Sequence, residues 1–214
     1  KIMTCILAIE SGKLDETVTA SKNAAVQPKT RMGLSEGEQL KLKDLLYALM
    51  LQSSNDAAVA IAEHVGGSVE AFCDMMDSKA KELGAVDTDF ETPNGLDSGE
   101  HHSTAYDMAL IACYALKNDE FKEIINTKQA EIKSDRCTYT IINKNRLLNE
   151  YDGAIGVKTG FTGKAGNCFV GAAQRDGMTL VSVVLGSGWG SVGKERKWRD
   201  TKNILNYGFD NYKY

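Results

Sequence analysis

The 214-residue sequence lacks the features that mark membrane, nucleic-acid and metal-binding proteins. No stretch approaches the roughly 20 apolar residues that a membrane-spanning helix requires. The formal net charge of -4 offers no basic surface for a nucleic acid, and the run Lys194-Glu195-Arg196-Lys197 is broken by an acid, which predicts a solvated helix face. No Cys-x-x-Cys pair is present, so a zinc site or a disulfide framework is a poor interpretation. The pattern predicts instead that all five cysteines are small core residues: Cys5, Cys73, Cys113, Cys137 and Cys168.

The first part of the chain has the apolar spacing of helices. One stripe recurs at intervals of three and four residues and consists of Leu42, Leu45, Leu46, Leu49 and Met50. Further helices are predicted over 57–65, over 69–83 and after Thr104, where Asp107 stands at the spacing of a capping box. After about residue 127 the pattern changes to strands.

The later part of the chain predicts an antiparallel sheet closed by a helix. Residues 155–159 have the composition of a strand, and the apolar runs 168–173 and 178–185 are joined by a turn containing Asp176-Gly177, which is typical of a hairpin. Residues 194–209 return to a helical pattern. The sequence therefore predicts an α+β fold in one catalytic domain over 1–214, with a helical lobe at about 15–130 and a sheet lobe at 131–214.

The usual catalytic groups of a serine hydrolase are missing. There is no Gly-x-Ser-x-Gly elbow, and the three histidines (His64, His101 and His102) are best interpreted as structural. A metal at Asp97, Glu100, His101 and His102 is conceivable, but their spacing matches no zinc pattern. No metal ligand is therefore predicted.

A lysine can replace histidine as the base if burial or a neighbouring cation lowers its pKa. Lys1 is the candidate base, and Lys158 would be such a neighbour if the fold brings the two together. Ser53 could then relay a proton between Lys1 and a leaving amine. Asn55 could either bind the carbonyl of the substrate or hold Lys1 in place.

The tripeptide that contains Lys158 predicts a binding strand. Thr159 and Thr162 offer hydroxyl groups to a terminal carboxylate, and the strand edge can pair with an extended peptide. Gly160 has no side chain, so a ligand can approach its backbone closely. Alone, Ser53-Ser54-Asn55 is typical of a helix cap and Lys158-Thr159-Gly160 of a strand end; their order and contexts together point to catalysis.

On these motifs the chain resembles the low-molecular-mass penicillin-binding proteins that act as serine-type D-alanyl-D-alanine carboxypeptidases in Gram-positive bacteria. The resemblance covers nearly the whole chain and is carried by Lys1-Ile2-Met3-Thr4, by 45–58, by Pro93-Asn94-Gly95-Leu96-Asp97, by 103–108 and by 156–162. It implies the penicillin-recognising fold, in which helices flank a five-stranded antiparallel sheet and an all-helical lobe is inserted.

The resemblance also implies roles for individual residues. Lys1 would be the general base, Ser53 the proton relay and Asn55 a contact of substrate and lysine. The substrate-binding strand would comprise Lys158, Thr159 and Gly160, and Lys144 or Arg146 falls near a basic position that some relatives use. The implied chemistry is an acyl-enzyme that needs no metal or organic cofactor.

The implied substrate is the stem peptide of peptidoglycan, with β-lactam antibiotics as inhibitors and no nucleic acid as partner. The implied location is outside the cytoplasmic membrane, facing the wall, with membrane attachment only through a C-terminal anchor that residues 1–214 do not contain. The nucleophilic serine is expected three positions before Lys1, so the chain is expected to be N-terminally incomplete and unable to acylate by itself.

Three alternatives stay open. A serine β-lactamase shares the motifs but in class A adds a glutamate for deacylation, and no Glu-x-x-Leu-Asn segment stands between Ser53 and Lys158. A DD-endopeptidase has the same motifs. A non-catalytic binding module with the same fold is the third alternative, if the serine is truly absent.

Overall fold

The structure is a computed structural model that describes residues 1–213. Its first part contains α1 (Ile2–Glu10), β1 (Thr17–Thr19), α2 (Lys22–Ala25), β2 (Gln39–Lys41), α3 (Leu42–Tyr47), a π-helical turn (Ala48–Gln52), α4 (Asn55–Gly66), α5 (Val69–Glu82), α6 (Ala105–Ala115) and α7 (Asp119–Asn126). Its second part contains β3 (Gln129–Lys133), β4 (Thr138–Ile142), α8 (Leu147–Glu150), β5 (Ala154–Thr162), β6 (Gly166–Arg175), β7 (Met178–Val184) and α9 (Gly190–Asn211). The α+β prediction is confirmed.

The main sheet is antiparallel with the strand order β5-β6-β7, so β5 lies at one edge of it in the described part of the chain. The predicted hairpin is confirmed: Asp176 and Gly177 have φ values of 47° and 82°, as the right-handed strand twist requires of a two-residue turn. The resemblance implies five strands, and residues 1–213 form three of them in this sheet. Two small antiparallel pairs, β1-β2 and β3-β4, lie outside it.

Helices pack on both faces of the sheet. On one face α9 covers a small core that contains Phe169, Ala173, Trp198 and Leu205. On the other face Val170 and Ala172 join the main core, to which α1 and α3–α7 contribute. This core continues across position 130, and the division into two lobes stays a prediction.

The helix predicted from the 42–50 stripe changes its form halfway. It is α-helical to Tyr47 and then widens into the π-helical turn, whose end is Ser53 in the left-handed conformation with φ 67° and ψ 36°. π-Turns and left-handed non-glycine residues are both concentrated at functional sites. The turn therefore marks the segment that presents the Ser53 motif.

Two predictions from the sequence need correction. Cys113 and Cys137 are exposed and Cys168 is half-buried, so only Cys5 and Cys73 are core residues as predicted. The residue type alone carried no information about the side of the helix or strand on which each cysteine lies, and Cys137 stands in the turn between β3 and β4. The predicted capping box is half formed: Thr104 Oγ1 accepts a bond from Asp107 N at 3.1 Å, but the Asp107 carboxylate turns to Asp87 N and Thr88 Oγ1.

Candidate active site

Lys1 lies at the N-terminal end of the buried helix α1 and its ammonium group has two close acceptors. Lys1 Nζ donates to Asn55 Oδ1 at 2.8 Å and to the carbonyl oxygen of Asn94 at 2.5 Å. Burial lowers the pKa of Lys1 to about 8, helped by the positive charge of Lys144 and opposed by the negative charge of Asp56. A lysine with this pKa has an appreciable neutral fraction near pH 7, which a general base needs.

Asn55 is the first residue of α4 and is held on all sides. Its main-chain N–H donates to the Thr30 carbonyl at 2.7 Å, its side-chain Nδ2 donates to the Pro28 carbonyl at 3.0 Å, and its Oδ1 accepts from Lys1. Of the two roles that the sequence left open for Asn55, this geometry corresponds to holding Lys1.

Ser53 stands two residues before Asn55, at the end of the π-helical turn, and is partly exposed. The next residue, Ser54, points inward and is buried, with its N–H bonded to the Ala48 carbonyl at 3.1 Å. Because the left-handed backbone turns Ser53 away from the core while Ser54 enters it, Ser53 is the hydroxyl of this motif that a ligand can reach.

Lys158 is buried, with 8% of its surface exposed, and its Nζ donates to the Thr159 carbonyl at 3.0 Å. Burial holds the pKa of Lys158 well below its usual value, and the positive charges of Lys1, Lys144 and Lys197 lower it further. The charge effects on the pKa of Lys1 come from Lys144 and Asp56 rather than from Lys158, which the sequence had suggested as the neighbouring cation. The four lysines therefore share one positively charged cleft.

β5 presents the rest of the predicted binding strand. A Cβ at Gly160 would meet Cys168 Cβ only at 3.6 Å, an ordinary contact, so packing against β6 does not demand glycine here. Thr162 Oγ1 donates to Asp97 Oδ1 at 2.9 Å and accepts from Ala165 N at 3.0 Å. The hydroxyl of Thr162 thus ties the sheet to the 85–103 loop, and its role as a carboxylate ligand stays a prediction.

The sequence prediction missed Lys197, which it placed on a solvated helix face. Lys194, Glu195 and Arg196 are exposed as predicted, but Lys197 is buried with 5% of its surface exposed. Its Nζ donates to Asn167 Oδ1 at 3.3 Å and lies 5.0 Å from the centroid of the Trp198 ring. The available signal was helical spacing, because Lys197 shares the stripe of Thr201, Leu205 and Gly208 at intervals of three and four residues.

Asn94 was quoted only as part of a loop motif, yet its carbonyl oxygen is an acceptor for Lys1. The loop is fixed around it: Thr4 Oγ1 donates to the Pro93 carbonyl at 2.7 Å, and Asn94 Nδ2 donates to Gln27 Oε1 at 3.0 Å. A main-chain carbonyl contact of this kind has no sequence signature, because every residue carries the same group.

The polar side chains of the loop that follows form hydrogen bonds with neighbouring protein groups. His101 Nδ1 accepts from Glu91 N at 3.0 Å, His102 Nδ1 bonds to the Glu100 carbonyl, and Asp97 is bound to Thr162. Among residues 1–213 no group of three or more His, Cys, Asp or Glu side chains is arranged to hold a metal ion. No helix in this same range is long and apolar enough to cross a membrane.

Known proteins resemble this chain over nearly its whole length. A family model described as D-alanyl-D-alanine carboxypeptidase, peptidase family S11, matches residues 1–188. The chain belongs to this family. It is 37% identical to the D-alanyl-D-alanine carboxypeptidase DacF of Bacillus subtilis over 99% of its length, and 35% identical to DacB2 of Mycobacterium tuberculosis over 98%. It spans 55% of DacF and 72% of DacB2.

Solved structures of the family have the same fold. A mutant of the Streptomyces K15 DD-transpeptidase superposes with a TM-score of 0.90 at 33% identity, covering 98% of this chain and 86% of that protein. The DacD carboxypeptidase of Francisella tularensis gives a TM-score of 0.89 at 29% identity, covering 99% of this chain and 63% of that one. The penicillin-recognising fold that the motifs implied is confirmed.

Proposed function

We propose that the protein is a serine-type D-alanyl-D-alanine carboxypeptidase that removes the terminal D-alanine of peptidoglycan stem peptides. The observation that carries the proposal is the position of the Lys1 ammonium, held between Asn55 and Asn94 in the positively charged cleft that also contains Lys158. This arrangement pairs a lysine base of lowered pKa with a binding site for a free carboxylate. A peptide that ends in an acid needs both.

Substrate binding in this proposal uses charge and the strand edge. The terminal carboxylate is attracted by Lys158, Lys144 and Lys197 and takes a hydrogen bond from Thr159. The peptide main chain lies extended along β5, where the lack of a side chain at Gly160 permits close approach. Thr162 is bonded to Asp97, so it acts on the carboxylate only if this bond opens.

Acylation starts with a serine hydroxyl beside Lys1, at the position three residues before it that the family resemblance implies. Lys1 Nζ, in its neutral form, takes the hydroxyl proton as the serine oxygen attacks the carbonyl carbon of the penultimate D-alanine. When the tetrahedral intermediate collapses, the C–N bond breaks. Ser53 gives its hydroxyl proton to the leaving amine and takes in return the proton that Lys1 had accepted, so Lys1 is neutral again. Free D-alanine departs and the peptide remains as an ester on the serine.

Deacylation reverses the proton path. A water molecule gives a proton to Lys1 and attacks the ester carbonyl, and the serine oxygen leaves with a proton returned from Lys1. Asn55 keeps the lysine aimed through both steps.

The β-lactamase alternative is less well supported. The two hydrogen-bond acceptors of Lys1 are an amide oxygen and a main-chain carbonyl oxygen, neither of which can accept a proton from water as a glutamate does in class A enzymes. We therefore expect β-lactams to form a slowly hydrolysed ester and to act as inhibitors. A DD-endopeptidase would use the same groups on a cross-linked peptide.

The test uses the complete protein, with the residues that precede Lys1, and a peptide ending in D-alanyl-D-alanine. We expect release of D-alanine, with penicillin hydrolysis much slower, and loss of about 10²-fold or more in kcat/KM for Lys1→Ala. The matched control is Lys164→Met, which removes an exposed lysine of the β5–β6 turn. Penicillin hydrolysis faster than D-alanine release would establish the β-lactamase, and binding without either reaction would establish the binding module.

The proposed setting follows from the substrate. Stem peptides lie in the wall, so the proposed location is the outer side of the cytoplasmic membrane. Treatment of intact cells with a protease, followed by detection of the complete protein, tests this location. Protection of the protein in intact cells and cleavage only after lysis would contradict an external location.

A further inference from the structure

Asp56 follows Asn55 directly and is the most completely hydrogen-bonded carboxylate near the cleft. Its surface is 0% exposed. Oδ2 accepts from Gly33 N at 2.8 Å and from Leu34 N at 3.0 Å, and Oδ1 accepts from Met32 N at 3.1 Å and from Ala57 N at 2.9 Å. Four main-chain N–H groups thus surround a buried negative charge. Burial of a carboxylate is costly unless hydrogen bonds compensate for the lost water, and these four bonds supply that compensation.

Three of these donors belong to the loop before β2, and the same loop supplies both carbonyl groups that hold Asn55. The Thr30 carbonyl accepts from Asn55 N and the Pro28 carbonyl accepts from Asn55 Nδ2. Asp56 therefore clamps residues 32–34, and the residues just before them clamp Asn55. The helix α4 sets the backbone of Asn55, and the loop carbonyls orient its side-chain amide through the bond to Pro28.

We propose that Asp56 is a positioning residue for the reaction: its carboxylate holds the 28–34 loop, the loop orients the Asn55 amide, and the amide aims the Lys1 ammonium at the reacting hydroxyl. Asp56 does not touch the substrate in this proposal. The chain of contacts is continuous from Asp56 to Lys1 Nζ, each link between 2.7 and 3.1 Å. The inference rests on the proposed function for its kinetic readout.

The charge of Asp56 gives a second, independent signature. It raises the pKa of Lys1 against the larger effects of burial and of Lys144. Loss of the charge in Asp56→Asn therefore lowers the pKa of Lys1, so the rise of kcat/KM with pH moves to lower pH. A carboxylate remote from Lys1 would leave this part of the pH profile in place, and the fall in kcat described below reports the positioning role.

The experiment compares Asp56→Asn with the wild-type complete protein on a D-alanyl-D-alanine peptide. We expect kcat to fall by about 10- to 100-fold with little change in KM. A displacement of the base by up to about 1 Å slows proton transfer but leaves the groups that bind the substrate in place. Combined with Asn55→Ala, the effects should not multiply: the double variant should be within about twofold of Asn55→Ala alone. The matched control is Asp107→Asn, a buried carboxylate of the same lobe with no contact to the Asn55 segment, and it should keep kcat and the pH profile.

Two results would overturn the inference. One is an Asp56→Asn protein with lowered melting temperature but wild-type kcat per active molecule and an unmoved pH profile. The other is a double variant in which the two effects multiply. If Asp56→Asn does not fold, Gly33→Ala disturbs the loop without touching the carboxylate, since its φ of +100° disfavours a side chain and no atom lies within 4 Å of the added Cβ. Unchanged kcat in Gly33→Ala would count against the inference.

Failure of the proposed function can be told apart from failure of this inference. If the wild-type protein releases no D-alanine, the proposed function is wrong. The inference is then judged by NMR from the side-chain amide resonances of Asn55 together with the titration of the Lys1 side chain, both of which Asp56→Asn should move and Asp107→Asn should not.

Discussion

Binding of an anionic peptide end to the cleft is expected to draw a proton onto Lys158. The side chain is buried, and burial together with the charges of Lys1, Lys144 and Lys197 holds its pKa well below the usual value. Above that lowered pKa, Lys158 is neutral before a ligand binds. A carboxylate within about 4–6 Å favours the charged form, so the lysine takes up a proton as the ligand binds.

The size of the pH effect on binding follows from the number of groups that change their protonation state. A single lysine that changes from neutral to charged takes up at most one proton per ligand. Because the bound state then contains more protons than the free state, affinity falls as pH rises, and log Kd increases by up to about one unit per pH unit above the pKa of the free lysine. Below that pKa the lysine is already charged, and binding becomes independent of pH.

The assay is calorimetric titration with a peptide that ends in D-alanine, a product that is not turned over. Repeating it at one pH in buffers of different ionisation enthalpy gives the number of protons taken up. Lys158→Met should abolish the uptake, whereas Lys164→Met on the neighbouring exposed turn should preserve it. A heat that does not depend on the buffer, with a Kd that is constant from pH 7 to 9, would refute this view of the cleft.

Three further predictions concern electrostatics, thiols and packing. Lys144→Met removes a charge that lowers the pKa of Lys1, so the rise of kcat/KM should move to higher pH by less than about one unit; a profile that is unmoved at low salt would contradict it. Cys137 is exposed and should react with a maleimide in the native protein, whereas Cys5 is buried and should react only after unfolding, as judged by mass spectrometry of the peptides. Phe169→Ala should lower the free energy of unfolding by about 3–5 kcal/mol, because the ring is buried against Trp198 with centroids 4.7 Å apart; a urea midpoint unchanged from wild type would show that the site is not packed as described.

Much of the secondary structure could be predicted from short stretches of sequence. Asp-Gly at 176–177 favours left-handed backbone whatever surrounds it, so the hairpin between β6 and β7 followed from two residues. The helices after Asn55 and Val69 followed from apolar spacing in the same way. The motifs around Ser53 and Lys158 pointed to the family to which the chain belongs, because their order and contexts agree with one another.

Helical periodicity was less informative about burial at positions occupied by a charged residue. Lys197 lies on the buried stripe of α9, but its charge favoured an exposed position, and only the neighbouring Asn167 and Trp198 make its burial acceptable. Cys113 and Cys137 show the opposite error. They were predicted to lie in the core from residue type alone, without a periodic pattern to support the prediction, and both are exposed.

By itself the sequence determined the types of element and the antiparallel hairpin, because these depend on residues close together in the chain, and its short motifs indicated the family. Only the tertiary structure decided that Lys1 meets the Asn94 carbonyl and that Thr162 is bonded to Asp97. The clamp that runs from Asp56 through the 28–34 loop to Asn55 belongs with these contacts. They join residues that are far apart in sequence, often through main-chain groups common to every residue, so no local pattern can specify the partner.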